Sequence, residues 1–473
     1  MLHYLLLAIA AFAFPCHDLV ASSAESQHIS GSILELYWVV PFLGILLSLA
    51  LMPILTPRFW HGHYGKVAFF WSVITFSAMM AFFSFDQALF ELFYTLLHHY
   101  IPFIILVSAL YIITLDIKID FGFEGTPLNN TLFMMCGALV ASVIGTTGAS
   151  MVLIQPLLRI NQNRLHKKHL VIFFIFIVSN IGGSLTPLGD PPLFLGFLEG
   201  VPFTWPLLNL FWPLCFVLFP LLLILWGLDH YFMKKDVSYL SREKKKTSTR
   251  LIKIKGYPNI FLLGLVVLMI LLSGLIELSH EVSLFSVNLK LTDLLRDGAL
   301  LSVIGVALWI KRRRGAERIY TWGPLVEVAK LFVAIFITAI PVIAILKSGE
   351  NGALNFLTTG LFAAEEPLNL RFFWITGLLS GFLDNAPTYL IFFHLAGGDA
   401  VTLTTTLKTT LIAISSGAVF MGALSYIGNA PNFMVKAIAE ENGVTMPSFF
   451  GYMAWSLLCL IPIMLGLSLF WFM

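Results

Sequence analysis

Of the 473 residues, 58% are hydrophobic and only 11% carry a charge, with a formal net charge of +2 and a mean hydropathy of +0.88. A soluble globular chain carries roughly 25% charged residues, so this one has too little charge to cover a water-facing surface. No run of Lys or Arg interleaves with aromatics as nucleic-acid binding would require. The four cysteines, Cys16, Cys136, Cys215 and Cys459, lie scattered in apolar segments without metal-ligand spacing, and no cofactor is implied.

In chain order, Tyr4 to Pro15 is apolar but too short to span a bilayer, and the small residues Val20 to Ala24 follow. This pattern predicts a signal peptide over 1–24, cut near Ala24, with the mature chain starting outside. Apolar runs of the length a bilayer core demands then predict spans at 33–54, 67–84 and 100–117. The region 131–160, interrupted by Gly145 to Ser150, predicts a re-entrant hairpin, and 169–199 a broken helix; a clean span covers 203–230. The stretch 234–257 is basic and predicts a cytoplasmic linker that touches anionic headgroups. Beyond it, spans are expected at 258–278, 298–310 and 324–346, then a second hairpin at 371–394, a second broken helix at 409–438 and a last span at 449–473. The expected architecture is all-α and polytopic, with 25–233 and 258–473 as two repeats.

Treating the interrupted regions as hairpins fixes the side of every loop. Twenty-two of the 28 Lys and Arg then lie in cytoplasmic loops and five in outside loops, Lys330 falling inside a span. That bias is the one the positive-inside rule expects of a plasma or bacterial inner membrane protein. Both mature termini come out on the outside.

The halves repeat one order of elements. In the first, Ala149 of the hairpin is followed 40 residues later by Gly189 of Thr186-Pro187-Leu188-Gly189-Asp190-Pro191-Pro192; in the second, Ala386 is followed 42 residues later by Gly428 of Ser425-Tyr426-Ile427-Gly428-Asn429-Ala430-Pro431. The basic content of the flanking loops gives the copies opposite orientations. Paired broken helices in inverted repeats point to a transporter binding site. Breaks are expected at Gly148, Gly189, Gly428, Pro187, Pro387 and Pro431, where proline removes donors and glycine loosens the helix. Carbonyls freed there must line a cavity or bind something.

Two acids lie inside these regions, Asp190 and Asp384. A carboxylate at mid-bilayer costs roughly 2.5–3.5 kcal/mol on insertion scales, so it faces water, a partner or an ion. Asn180, Asn385, Asn429, Thr186, Ser150, Thr388 and Ser425 complete an oxygen-rich set suited to a hard cation such as Na+. Burial lets a proton compete with the cation for such a carboxylate. Glu327 and Lys330, three apart, are expected to pair on one helix face. Asp116 and Asp229 are expected at membrane interfaces, and His61, His63, His98, His99, His166 and His169 in solvated or headgroup-facing positions.

Ser179 to Pro192, with Gly145 to Ser150 before it and Phe382-Leu383-Asp384-Asn385-Ala386-Pro387-Thr388 after it, resembles the ArsB/NhaD branch of the ion transporter superfamily, and within it bacterial sodium:proton antiporters and citrate-transporter-like proteins. The resemblance covers the chain after about residue 33. It implies a scaffold and a mobile transport domain, an elevator-like shift, a homodimer in lipid, and a small ion or organic anion as substrate. The antiporters carry a Thr-Pro-Ile-Gly-Asp-like motif, here Thr186 to Asp190 with Leu188 for Ile. The superfamily's carboxylate carriers carry Ser-Asn-Thr in each repeat; here Ile181 follows Ser179-Asn180, and the second half has no such triplet. The expected function is Na+/H+ exchange at the carboxylates, with a Na+- or H+-coupled citrate or dicarboxylate carrier as the alternative. Arsenite efflux lacks a placed cysteine, and no ring of filter residues predicts a channel. An intramembrane aspartyl protease, which needs Gly-x-Gly-Asp, meets Pro187 at its first glycine, so no enzyme is expected.

Overall fold

With no water in hydrocarbon, a spanning backbone must close its hydrogen bonds within itself, and the apolar runs do so as helices. A computed structural model describes residues 28–473 except 241–251, 277, 279, 314–321 and 364–365. The expected signal peptide and the middle of the basic linker lie outside the described residues. Among those described, eight helices are long and apolar enough to cross a membrane, or nine if a pair bent by 41° counts as one span. The chain is a multi-pass, all-α membrane protein.

Helices α1 (Val40–Leu55) and α2 (Pro57–Phe82) pack on each other. Residues 85–99, expected as a loop, are instead helical: α3 (Phe85–Thr95) runs through a π-helical turn (Leu96–Tyr100) into α4 (Ile101–Thr114). Ser84 caps α3 by accepting from Gln87 N, and Phe85–Thr114 together make one continuous helix of 30 residues, apolar enough to cross a membrane. There follow α5 (Pro127–Ile144), α6 (Thr146–Ile160), α7 (Lys168–Ile177), α8 (Pro191–Leu198) and the long α9 (Trp205–Leu240). The second half holds α10 (Tyr257–Leu275), α11 (Leu291–Arg313), α12 (Gly323–Lys347), α13 (Asn355–Leu361), α14 (Asn369–Leu383), α15 (Asn385–Leu395), α16 (Ala400–Thr404), α17 (Lys408–Met421), α18 (Ala430–Glu441), α19 (Phe449–Cys459) and α20 (Ile461–Trp471). The expected last span is thus two helices bent at Leu460, where Pro462 enters the first turn of α20. Three short antiparallel strand pairs lie in loops; one joins Lys118–Phe121 to Ile252–Lys255.

α5 and α6 pack on each other across Gly145, and α14 and α15 do so across Asp384. The hairpins thus run from 127 to 160 and from 369 to 395, a little wider than expected. Both reversals sit at positive φ, +82° at Gly145 and +105° at Asp384, a region that favours glycine. Gly189 lies 44 residues after Gly145, and Gly428 lies 44 after Asp384. The two halves therefore share one register of 239 residues, which the 40- and 42-residue spacings read from Ala149 and Ala386 had blurred. The helices interlock between halves: α15 packs on α8, and α6 on α18. Outside this nucleus α4 packs on α10 and α11, and α12 lies against α1, α2 and α15.

A charged cluster anchors the first hairpin to α9. Asp229 and Asp236, fully buried and two turns apart on α9, meet Arg164, which is 5% exposed. Arg164 Nη2 lies 2.5 Å from Asp229 Oδ1 and its Nε 3.7 Å from Asp236 Oδ2. His169 Nε2 is 2.8 Å from Asp229 Oδ1, Asn130 donates to Asp229 Oδ2 at 2.8 Å, and His166 Nδ1 is 2.6 Å from Asp236 Oδ1. Asp229 and His169 are therefore buried partners and not interfacial groups; His99 is half-buried, its Nδ1 3.6 Å from Glu199 at the end of α8.

Removing one partner of a buried ion pair strands the other and costs about 3–5 kcal/mol. Arg164→Ala should accordingly lower the unfolding temperature of the purified protein in detergent by several degrees. His166→Gln, at the exposed edge, should lower it far less, as read by intrinsic fluorescence during heating.

Candidate functional site

Between α7 and α8 the chain unwinds. A 3-10 turn (Ile181–Leu185) leads to an extended stretch that ends at Asp190, the N-cap of α8. Between α17 and α18 it does the same through Gly422–Leu424 and on to Asn429, the N-cap of α18. Each unwound stretch is tied to its hairpin by a hydroxyl. Thr186 Oγ1 donates to Ser142 O and Ser425 Oγ to Gly381 O, both at 2.5 Å; the same hydroxyls accept from Leu188 N at 3.2 Å and Ile427 N at 3.1 Å. Glycine permits the crossing of strands. A Cβ on Gly189 would lie 2.0 Å from Gly183 O, and one on Gly428 2.5 Å from Gly422 O.

Asp190, 1% exposed, is the centre of the arrangement. Its Oδ1 accepts from Thr146 Oγ1 at 2.8 Å and from Asn429 Nδ2 at 3.0 Å, and its Oδ2 accepts from Asn385 Nδ2. Thr146 and Asn385 are the first residues after the two hairpin reversals, and so occupy matching positions in the two halves. Asn429 also donates to Ser179 O and Asn180 Oδ1 at 3.2 Å, and Asn180 donates to Asn432 Oδ1 at 2.7 Å. Asp384, 7% exposed, is the N-cap of α15 and accepts from Ala386 N at 3.2 Å.

The N-termini of α6, α8, α15 and α18 all begin within this network, and their positive dipole ends favour negative charge. Among the described residues no basic side chain is bonded to Asp190 or Asp384. Asn385 Oδ1 is buried without a hydrogen-bond donor. A cavity of about 50 Å³ lies beside Asp190, between Gly145–Gly148, Pro187–Pro191 and α4. That holds a water or a bare ion and falls far below the roughly 300–1,000 Å³ of organic-ligand pockets.

Of the residues expected at the site, Asp190, Asn180, Asn385 and Asn429 form one hydrogen-bonded set. Ser150 stands beside it, its hydroxyl 2.7 Å from that of Ser179. Thr186 and Ser425 face backbone, and Thr388 donates to Asp384 O at 2.7 Å within its own helix. Gly189, Gly428 and Pro187 lie in the unwound stretches, and Pro431 opens α18. Gly148 and Pro387, expected as breaks, lie inside the first turn of α6 and α15; the breaks themselves are Gly145 and Asp384. Thr146 escaped the sequence reading because its role depends on following Gly145, and nothing in its composition marks it. Glu199 between His99 and His394 escaped as well, since the three come from distant segments.

Adding a methyl group against backbone oxygen is overpacking, which costs about 1–3 kcal/mol in general. Gly189→Ala and Gly428→Ala should each sit at the upper end of that range, because a carbonyl cannot swing aside as a side chain can. Loss of the monodisperse peak in size-exclusion chromatography, with Gly227→Ala unaffected at its open position, would show it.

A comparison with curated proteins finds no match. The family described as "Putative citrate transport" matches residues 31–472. With nearly the whole chain covered, hairpins and unwound helices included, this multi-pass membrane protein belongs to that family of transporters.

Proposed function

We propose that the protein is a secondary active transporter that exchanges Na+ for H+ at Asp190 and Asp384. The observation that carries this reading is Asp190 itself: a fully buried carboxylate held only by neutral donors, beside a cavity of ion size. In the cycle, a proton bound at the carboxylate leaves when Na+ arrives, and the ion takes oxygens from Asp190, the donor-free Asn385 Oδ1 and the hydroxyl of Thr146. Competition of two cations for one carboxylate is sufficient for exchange, since the empty site is costly to move across the membrane.

The shared 239-residue register supports reading the halves as inverted-topology repeats of the ArsB/NhaD type. On this reading the two hairpins with α7–α8 and α17–α18 form the transport body, which shifts elevator-like against α1–α4 and α10–α12. The protein sits as a homodimer in a bacterial inner membrane with both mature termini outside.

A cation-coupled citrate carrier is the second reading, favoured by the family description and by the four helix N-termini, which would suit an anion. Against it stand the small cavity and the absence of a basic side chain bonded at the site among the described residues.

The deciding measurement uses everted vesicles from a strain without its own sodium/proton antiporters. Sodium or lithium should collapse a pre-formed pH gradient with wild-type protein, and Asp190→Asn and Asp384→Asn should reduce the signal to background. Asn385→Leu should raise the half-saturating Na+ concentration about tenfold, the loss of about 1.4 kcal/mol of binding. Accumulation of labelled citrate with no sodium-dependent proton movement between pH 6 and 9 would overturn exchange in favour of the carboxylate carrier.

A further inference from the structure

Helix α8 has a carboxylate at each end. Asp190 caps its N-terminus, and Glu199 is the residue at its C-cap, about 13 Å away along a helix rising 1.5 Å per residue. The Glu199 side chain is 13% exposed and lies between two imidazoles: His99 Nδ1 and His394 Nε2 are each 3.6 Å from the same oxygen, Oε1. His394 is 2% exposed at its side chain and His99 15%. Both contacts are longer than a hydrogen bond, and the Nδ1 atoms of both rings are buried without a partner. Charge-assisted N–H···O bonds run at about 2.7–2.9 Å, so the cluster has room to close when an imidazole takes up a proton.

The three residues come from three elements: the π-helical turn before α4, the end of α8 and the last turn of α15. π-Helical turns are rare and recur at functional positions, and this one packs on α8. The other titratable or charged groups that reach the cluster are Lys347 at the end of α12, His98 on the same turn, Tyr94 on α3 and Tyr389 on α15.

We propose that His99, Glu199 and His394 form a second proton-binding site, which loads and unloads its proton separately from Asp190 and Asp384. The step is simple protonation. A proton from the solvent face adds to a ring nitrogen, the carboxylate keeps its charge, and the cluster gains one positive charge as the ring closes on Oε1. Imidazole is the side chain whose ordinary titration lies near pH 6.5, and coupling to a carboxylate makes the proton a property of the group and not of either ring. A unit charge at about 13 Å through a medium of effective dielectric about 20 is felt at Asp190 as about one pH unit. The influence on exchange rests on the function proposed above; proton binding at the cluster does not.

The test is pH-difference infrared spectroscopy on the full-length protein in lipid vesicles, stepping between pH 8 and pH 5. Wild type should show imidazole and carboxylate bands that change together. Glu199→Gln should remove the carboxylate band and shift the imidazole bands, and His394→Gln should weaken both, while Asp190→Asn leaves them in place. Difference spectra identical in wild type, Glu199→Gln and His394→Gln would overturn the proposal, whether or not the protein exchanges sodium. Where exchange is measured, Glu199→Gln should move the pH midpoint of activity by about one unit towards acid, because a negative charge near Asp190 is lost. An unmoved midpoint alongside altered infrared bands would overturn the coupling to Asp190. Thermal stability of Glu199→Gln and His394→Gln equal to that of wild type checks that the variants fold.

Discussion

The whole arrangement depends on one constraint: two stretches of chain are unwound where no bulk water can satisfy them. Each frees backbone donors and acceptors that would cost several kcal/mol apiece in hydrocarbon. The hairpins exist, structurally, to answer that demand. Ser142 and Thr186 in one half, and Gly381 with Ser425 in the other, tie each stretch to the hairpin lying against it. Ser142 also donates to Gly182 O at 2.5 Å and accepts from Leu185 N at 3.2 Å. Small residues at Gly183, Gly189, Gly422 and Gly428 follow from the same demand, because the strands must approach to hydrogen-bonding range.

Once the backbone is satisfied in this way, the helix ends it creates become a resource. Four N-termini meet in one place, and the partial positive charge there lets carboxylates remain in a dry interior. Hydrogen bonds from Thr146, Asn385 and Asn429 add neutral donors. The Arg164 cluster solves a different problem: it fixes the base of the first hairpin to α9 by pairing charges that are otherwise too costly to bury. No counterpart to the Arg164 cluster appears at the second hairpin among the described residues; there Asn369–Leu383 packs closely on α17 instead.

Much of this was legible from residue order alone, for identifiable reasons. Bilayer thickness makes spans a matter of length and apolarity, so α1, α4, α9, α10 and α12 follow from composition. Gly and Pro inside apolar runs mark unwound segments because few other residues do so. The hidden parts share one property, that their meaning lies in partners far along the chain. Gly145 and Asp384 occupy the same place in the fold but look nothing alike, and a single-sequence comparison aligned Ala149 with Ala386. Residues 85–99 carry too many polar groups to read as a span, and the structure makes them the first half of one helix that continues through α4. Asp229, Arg164 and His169 read as surface residues until folding brings them together.

The 239-residue register sets Asp190 opposite Asn429, and in the structure the second donates to the first. Had both positions kept aspartate, two carboxylates would face each other across a dry contact; two asparagines would leave no ionisable group there. The chain's two halves have thus divided a labour that identical halves could not perform, one supplying the charge and the other the amide that holds it. A lone half, or a pair of identical halves, lacks that complementarity. In this protein the two halves differ at that matched pair, and the contact between them uses the difference.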